Sequence, residues 1–250
     1  MGQAWAVALD NIAKAQPAKS LKAAKSSYDP YPPELLDAKI AELHDIYQVK
    51  REAIRARLAE FETIWQTADD VKLFEELIFC IFTAGASAKM GINCIERIRP
   101  IMLTATRSRL TRAVLHKHRY PRSRSGYIVH TRKYVQREFE MKLRARIESI
   151  PDFYERRDFF AANSGIKGIG YKEASHYLRN IGLKGYAILD KHILRSLHQF
   201  GVVESPKPPG TRSRYLEIEQ KMRDFAKKIA IDFDELDLLL WSIKTGEILK

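Results

Sequence analysis

The sequence is poor in the features that mark secreted, membrane-spanning and redox proteins. It has only two cysteines, Cys80 and Cys94, in 250 residues. Two thiols cannot form a disulfide framework, and they are too few for an iron–sulfur site with four thiolate ligands. No apolar run approaches the ~20 residues that a transmembrane helix needs, so we expect no membrane span. The simplest interpretation is an intracellular protein of a reducing compartment, in the cytoplasm of a prokaryote or in a nucleus.

Acidic residues are missing from one long stretch of the chain. Between Arg97 and Arg137 there are twelve Lys and Arg residues and no Asp or Glu, and the whole chain carries a formal net charge of +12 at pH 7. A solvated helix face normally carries both signs, so a plain surface explains this window poorly. Aromatic residues are interleaved with the basic ones in HKHRYPRSRSGYIVHTRKY, which favours contact with a nucleic acid. Charge alone does not distinguish DNA from RNA.

The first 33 residues differ in composition from the rest. The segment KAQPAKSLKAAKSSYDPYPP is rich in Lys, Ala, Ser and Pro, which is typical of a flexible basic tail. The scarcity of acids there would also fit an organelle presequence, which is the less favoured alternative. We therefore predict a tail over 1–33 and a folded domain over 34–250.

Period-2 strand patterns are nearly absent, and helical periodicity dominates from Glu34 onward. Apolar residues recur every three to four positions in PELLDAKIAELHDIYQVKREAIRARLAEFETIW. The segment FEELIFCIFTAGASA is apolar nearly all round, as a buried central helix is. The sequence thus predicts an all-α protein.

The segment DFFAANSGIKGIGYKEASHYL predicts a helix, a short glycine-rich loop and a second helix. Gly168 and Gly170 flank Ile169, so the backbone can turn sharply and point N–H groups at a phosphate. Lys167 can add a positive charge. Such a turn can equally be a plain connector between helices, and the loop alone does not decide between the two.

Lys172 lies in the first turn of that second helix, where the helix dipole disfavours a cation. Partial burial and the dipole both favour the neutral amine, which is a nucleophile that forms Schiff bases. The alternative is a lysine that reaches solvent or a phosphate. Lys184 and Lys191 lie nearby, and nothing in the local sequence selects among the three.

Asp190 directly precedes the amphipathic helix KHILRSLHQFG and is expected to cap it. Capping alone explains the residue as a structural one. A capped carboxylate is also held ready to take a proton or to face a developing cation, and the two roles are compatible. His192, in the first turn, would point toward the same site or a nearby phosphate.

The motif GIKGIGYKEASHYLRNIG followed by AILDKHILRSL resembles the helix–hairpin–helix superfamily of DNA base-excision glycosylases. It is most similar to the archaeal-type branch of 8-oxoguanine DNA glycosylase/lyases, from about Phe74 to Lys250. The signature of that family is a nucleophilic lysine just after the hairpin glycines and an aspartate about five helical turns later. Asp190 lies eighteen positions after Lys172, whereas Lys184 and Lys191 do not match.

The resemblance implies two helical subdomains with the active site in the cleft between them. It implies an enzyme that excises 8-oxoguanine through a lysine Schiff base and then nicks the strand by β-elimination, which makes it both a glycosylase and an AP lyase. The implied partner is double-stranded DNA containing oxidised guanine. No metal or organic cofactor is implied, and a monomer is the default.

The resemblance also implies roles for particular residues. Lys172 and Asp190 would be catalytic, and Trp241, Tyr120 and Lys250 would recognise the base, although from the residues alone Trp241 is a core residue and Lys250 a frayed end. Residues expected to contact DNA are Lys167, Gly168, Ile169, Gly170, His192, Arg119, Arg122 and Arg124. One departure is Gly85, which replaces an Asn or Gln that helps fill the gap left by the extracted base, so neighbouring side chains would have to fill it.

Two other classes of protein compete with the glycosylase hypothesis. A non-catalytic helix–hairpin–helix module predicts salt-sensitive DNA binding without cleavage. A helical protein–protein adaptor predicts no DNA binding near physiological salt, which the acid-free basic window argues against.

Overall fold

The computed structural model describes residues 29–248, which form eleven α-helices and no strand. The predicted all-α fold is therefore confirmed. In chain order the helices are α1 (Pro33–Thr67), α2 (Asp70–Thr83), α3 (Ala88–Ile98), α4 (Arg107–Val114), α5 (Pro121–Phe139), α6 (Leu143–Glu148), α7 (Phe153–Ala161), α8 (Tyr171–Asn180), α9 (Lys191–Gln199), α10 (Arg212–Lys228) and α11 (Phe233–Thr245).

Local sequence determines where most of these helices begin. Within the described residues, seven helices follow a Ser, Thr or Asp whose side chain accepts a first-turn N–H, a donor that the helix cannot pair internally. These caps are Asp69, Ser87, Thr106, Asp152, Asp190, Thr211 and Asp232. α1 and α5 begin at Pro33 and Pro121, where a missing N–H does no harm. The predicted cap at Asp190 is confirmed.

Buried apolar side chains form two clusters. The first surrounds α2, in which every residue from Leu73 to Thr83 is buried, and it includes residues of α3 to α8. The second joins α1 to α9, α10 and α11. The chain passes from the first cluster to the second between Tyr186 and Ala187. The division of 34–250 into two interleaved helical subdomains stays a prediction.

The N-terminal part of the chain is described only from Asp29, so residues 1–28 of the predicted tail lie outside the described residues. Tyr31 donates its backbone N–H to the Gln199 carbonyl at 2.8 Å, and its ring centroid lies 5.3 Å from that of Phe200. Packing against α9 therefore begins before the expected boundary at Glu34. Among the helices of residues 29–248, none is both long and apolar enough to span a membrane.

Candidate active site and nucleic-acid interface

The loop between α7 and α8 forms the predicted hairpin. Gly168 has a φ of +79°, which side chains rarely adopt. Gly170 is extended and precedes α8, Ile169 is buried and Lys167 is exposed. The N–H groups of Gly168 and Ile169 have no partner among the described residues. These two unpaired groups at the start of a helix are therefore candidate donors to an anion.

The acid-free basic segment lies directly beside this hairpin. Thr131 of α5 accepts the backbone N–H of Lys167 through its hydroxyl at 3.0 Å. A Cβ added to Gly168 would lie 2.6 Å from the Tyr127 ring and 3.2 Å from an Arg124 guanidinium nitrogen. The fold thus joins the hairpin and α5 into one basic surface.

The arginines predicted to contact DNA have different surroundings. Arg119 and Arg122 are exposed, and the Arg119 guanidinium lies 5.1 Å from the centroid of the Tyr120 ring. Tyr120 itself is 42% exposed. Arg124 is half-buried and donates to the Ala84 carbonyl at the end of α2. Two arginines and the tyrosine are thus accessible to a ligand, whereas Arg124 also anchors α2.

His118, which sequence reasoning missed, holds the same end of α2. Its Nδ1 accepts the Tyr120 N–H at 2.9 Å, so that nitrogen carries no proton. Nε2 therefore donates to the Phe82 carbonyl at 2.8 Å. Burial lowers the pKa of His118, which favours this neutral ring. Gly85 follows the end of α2 with a φ of +73°, and a Cβ added to it would meet nothing within 4 Å. His118 and Arg124 thus fix this end of α2, but residue 85 has no side chain to project from it.

Lys172 lies in the first turn of α8 with 25% of its side chain exposed. Its Nζ is 3.0 Å from Oε1 of Glu173. The other carboxylate oxygen of Glu173 accepts the N–H of Gly170 at 3.2 Å. Glu173 therefore links the lysine to the hairpin backbone. A sequence signal existed, because a glutamate three residues after the N-cap is typical of a capping box.

The two competing lysines have other environments. Lys184 forms an ion pair with Glu62 of α1 at 2.6 Å, and its hydrogen bond to that carboxylate raises the pKa of Lys184. Lys172 also pairs with a carboxylate, so the ion pair alone does not separate the two lysines; 65% of the Lys184 side chain is exposed, against 25% for Lys172. Lys191 is exposed at the start of α9.

Contacts on either side of α8 place Lys172 at the seam between the two clusters. Three residues after it, the hydroxyl of Ser175 lies 3.2 Å from the Tyr215 hydroxyl of the second cluster. Four residues after it, the His176 ring packs edge-on against Phe79 of the first cluster, with centroids 5.6 Å apart. Because residues three and four apart share a helix face, Lys172 lies on the face of α8 that contacts both clusters.

Asp190 ends the loop between α8 and α9 and caps α9. Its Oδ1 accepts the N–H groups of His192 at 2.7 Å and Ile193 at 2.9 Å. The Tyr215 hydroxyl that contacts α8 also lies 3.4 Å from the backbone nitrogen of Leu189, the residue before Asp190. Burial lowers the pKa of His192. The Tyr215 hydroxyl therefore lies between the helix that carries Lys172 and the loop that ends at Asp190.

Two buried ion pairs beside the cleft were not predicted. Arg157 of α7 lies 2.7 Å from Glu219, and Arg179 of α8 lies 2.9 Å from Asp237. Burial raises the pKa of Asp237 to about 7, although Arg179 opposes that shift. A signal was present, because Asp237 interrupts the apolar run LDLLLW and Glu219 lies one turn after Tyr215 on a buried helix face.

For the residues predicted to recognise the base, the described residues show no contact with Lys172 or Asp190. Trp241 is half-buried on α11 and packs against the second cluster, as expected of a core residue. Lys250 lies outside the described residues. Tyr120 lies at the start of α5 beside the end of α2. Base recognition by these three residues stays a prediction.

The fold and the cleft define an all-α protein of the helix–hairpin–helix class. A family model described as 8-oxoguanine DNA glycosylase matches residues 54–231. A Korarchaeum cryptofilum protein named 8-oxoguanine DNA glycosylase/AP lyase is 38% identical over 213 residues, which cover 83% of this chain and 97% of that relative. A Fusobacterium nucleatum protein of the same name is 34% identical over 212 residues, covering 84% and 96%.

A solved structure gives the same result. The crystal structure of Methanocaldococcus jannaschii 8-oxoguanine glycosylase/lyase in complex with a 15mer DNA containing 8-oxoguanine superposes with a TM-score of 0.77. It is 34% identical and covers 85% of this chain and 100% of its own. The chain belongs to the 8-oxoguanine DNA glycosylase family, which confirms the resemblance seen in the sequence.

Proposed function

We propose that this protein is a bifunctional DNA glycosylase and AP lyase that excises 8-oxoguanine from double-stranded DNA and nicks the strand. The observation that carries the proposal is the Tyr215 hydroxyl, which lies 3.2 Å from Ser175 on the helix that carries Lys172 and 3.4 Å from the backbone nitrogen of Leu189, the residue before the capped Asp190. A DNA-binding module would need the hairpin and the basic surface, but not an amine and a carboxylate in a cleft. The names of the relatives support the enzymatic alternative.

The hairpin and α5 would hold the DNA by its phosphates. The donors would be the N–H groups of Gly168 and Ile169, which have no partner within residues 29–248, and the exposed side chains of Lys167, Arg119 and Arg122. The glycosidic bond of a stacked nucleotide is out of reach, so the damaged nucleotide is flipped out of the duplex. The flipped nucleotide would enter the cleft between the two clusters. One monomer holds all of these groups.

The chemistry follows from the amine and the carboxylate. The neutral amine of Lys172 attacks C1′ of the sugar, and the bonding pair of the glycosidic bond leaves with the base, which takes up a proton. Asp190 stabilises the positive charge that develops on the sugar. Ring opening gives a protonated Schiff base at C1′. Loss of a proton from C2′ then expels the 3′ phosphate, and water releases the lysine.

Recognition of the base needs an acceptor, because 8-oxoguanine carries a proton on N7, where guanine has a lone pair. We assign this role to the main-chain oxygen of Lys250, with stacking by Trp241 and Tyr120. Fusing a peptide after Lys250 should reduce the preference for 8-oxoguanine over guanine. A fusion protein with unchanged preference would refute the assignment to Lys250.

Borohydride trapping tests the covalent step, since it reduces the Schiff base to a stable amine. Wild-type protein should become cross-linked to a duplex containing 8-oxoguanine and not to a matched guanine duplex. Lys172→Gln should abolish the cross-link, whereas Lys184→Gln, which removes a nearby lysine paired with Glu62, should retain it. Asp190→Asn should slow strand scission while keeping the helix cap, because asparagine also caps helices.

Binding measurements separate the enzyme from the non-catalytic module. If the wild-type protein binds the 8-oxoguanine duplex but yields neither a cross-link nor a nick, the module is the correct interpretation. A cross-link that persists in Lys172→Gln would instead refute the choice of nucleophile.

A further inference from the structure

The loop that delivers Asp190 is unusual because it is buried. Residues 181–190 contain no helix, yet all four residues from Tyr186 to Leu189 are buried. Loops normally run on the surface, where water satisfies their backbone groups. Here the side chains of other helices must supply those partners. This segment, residues 181–190, is called the crossing loop below because it passes from the first cluster to the second.

Carboxylates of α10 and α11 accept the N–H groups of the crossing loop. Asp234 accepts from Gly185 at 2.9 Å. Glu219 accepts from Ala187 at 3.0 Å. Asp237 accepts from Ile188 at 3.1 Å. Glu219 and Asp237 also hold the buried arginines of α7 and α8, so the same side chains connect the hairpin helices to this loop.

Tyr215 of α10 completes this set of contacts with a neutral group. Its hydroxyl donates to the Ala187 carbonyl at 2.7 Å and lies 3.4 Å from the Leu189 nitrogen. On its other side it lies 3.2 Å from the Ser175 hydroxyl on α8. One oxygen atom thus joins the helix that carries Lys172 to the loop that ends at Asp190.

We propose that the Tyr215 hydroxyl is a positioning group for catalysis, which sets the place of Asp190 relative to Lys172. Tyr215 is 2% exposed, so it acts through its neighbours and not by touching DNA. The cap contacts of Asp190 orient its carboxylate only with respect to α9. The crossing loop sets the position of α9 relative to α8, and the Tyr215 hydroxyl contacts both this loop and α8. This inference rests on the proposed catalytic roles of Lys172 and Asp190.

The test compares two tyrosine-to-phenylalanine variants. Tyr215→Phe removes the bridging hydroxyl and keeps the ring. Tyr177→Phe is the matched control, because Tyr177 is a fully buried tyrosine of α8 whose hydroxyl has no hydrogen-bond partner among residues 29–248. Ser175→Ala removes only the α8 side of the bridge and serves as a second variant should Tyr215→Phe fold poorly.

Single-turnover strand scission on an 8-oxoguanine duplex gives the readout. Tyr215→Phe should slow the reaction about 10- to 100-fold, the size of effect that a displacement near 1 Å produces. Its dissociation constant for the duplex should stay within about twofold of wild type, since the hairpin and α5 are untouched. Tyr177→Phe should react at the wild-type rate. Equal rates for the two phenylalanine variants would refute the proposal.

A double-mutant cycle identifies the residue through which Tyr215 acts. Groups that act as a unit lose activity non-additively. In an Asp190→Asn background, Tyr215→Phe should therefore add little further loss. If it slows that variant by the same factor as the wild type, then Tyr215 does not work through Asp190 and the inference is wrong. A wild-type protein that gives no borohydride cross-link would refute the proposed function itself, whatever these variants do.

Discussion

Substituting Gly168 by alanine tests whether the hairpin backbone binds phosphate. The position has a φ of +79°, and a Cβ there would lie 2.6 Å from the Tyr127 ring, where 3.4 Å is an ordinary contact. The left-handed backbone costs about 1–2 kcal/mol for an alanine. Moving the ring by about 0.8 Å adds overpacking, which typically costs about 1–3 kcal/mol. We expect Gly168→Ala to lose about 2–5 kcal/mol of unfolding free energy.

Gly201→Ala separates backbone strain from this contact. Gly201 also has a positive φ, +70°, but a Cβ there would meet nothing within 4 Å. Its loss should be the strain alone, about 1–2 kcal/mol. For a protein of this size each kcal/mol lowers Tm by about 2–4 °C. Thermal unfolding followed by circular dichroism should therefore show a clearly larger drop for Gly168→Ala.

DNA binding by the same pair of variants gives the decisive comparison. Displacing the N–H groups of Gly168 and Ile169 removes hydrogen bonds to a charged phosphate, and the loss of about 1.4 kcal/mol corresponds to tenfold weaker binding. Fluorescence anisotropy at fixed salt should show this weakening in Gly168→Ala and not in Gly201→Ala. If both variants bind the duplex as tightly as the wild type, the hairpin backbone does not contact phosphate.

Three further predictions follow from single contacts. Glu173→Ala should lower the unfolding free energy by about 1 kcal/mol through loss of the Gly170 contact, whereas Glu173→Gln should retain it, and chemical denaturation distinguishes the two. Arg122→Ala should reduce the slope of log affinity against log salt by about 0.9 in anisotropy titrations if this exposed arginine neutralises one phosphate. Because the pKa of His118 is lowered in the folded state, the unfolded chain takes up the proton more readily; stability should fall as pH drops through about 6.5. Urea unfolding at two pH values should show a smaller fall in His118→Gln, and an equal fall would contradict the neutral ring.

The parts of the site that depend on neighbouring residues were predictable from the sequence. Capping of α9 by Asp190 requires only a carboxylate before an amphipathic helix. The turn at Gly168 similarly follows from glycines between two helical patterns. The choice of Lys172 over Lys184 and Lys191 required the family resemblance, because local helix propensity does not distinguish a catalytic lysine from a structural one.

Contacts between distant segments could not be predicted in this way. The packing of α5 against the hairpin brings the Thr131 hydroxyl into a hydrogen bond with the Lys167 N–H. No local pattern in the sequence predicts this contact. Taken alone, Glu219 and Asp237 look like charged residues on a solvated helix face. Only their apolar neighbours in the sequence indicate that they are buried. Their arginine partners lie 62 and 58 positions away, and no local rule pairs residues over such distances.

The crossing loop explains why charge is buried so close to the cleft. A chain that passes between two apolar clusters without secondary structure exposes N–H groups to an apolar interior, and each unpaired group would be costly. Glu219 and Asp237 satisfy these groups, and Arg157 and Arg179 in turn neutralise the two carboxylates. Removing one residue of either ion pair would leave the charge of the other residue buried without a partner. Stability of the second cluster and the geometry of the cleft therefore depend on the same contacts, so substitutions at these positions should change both together.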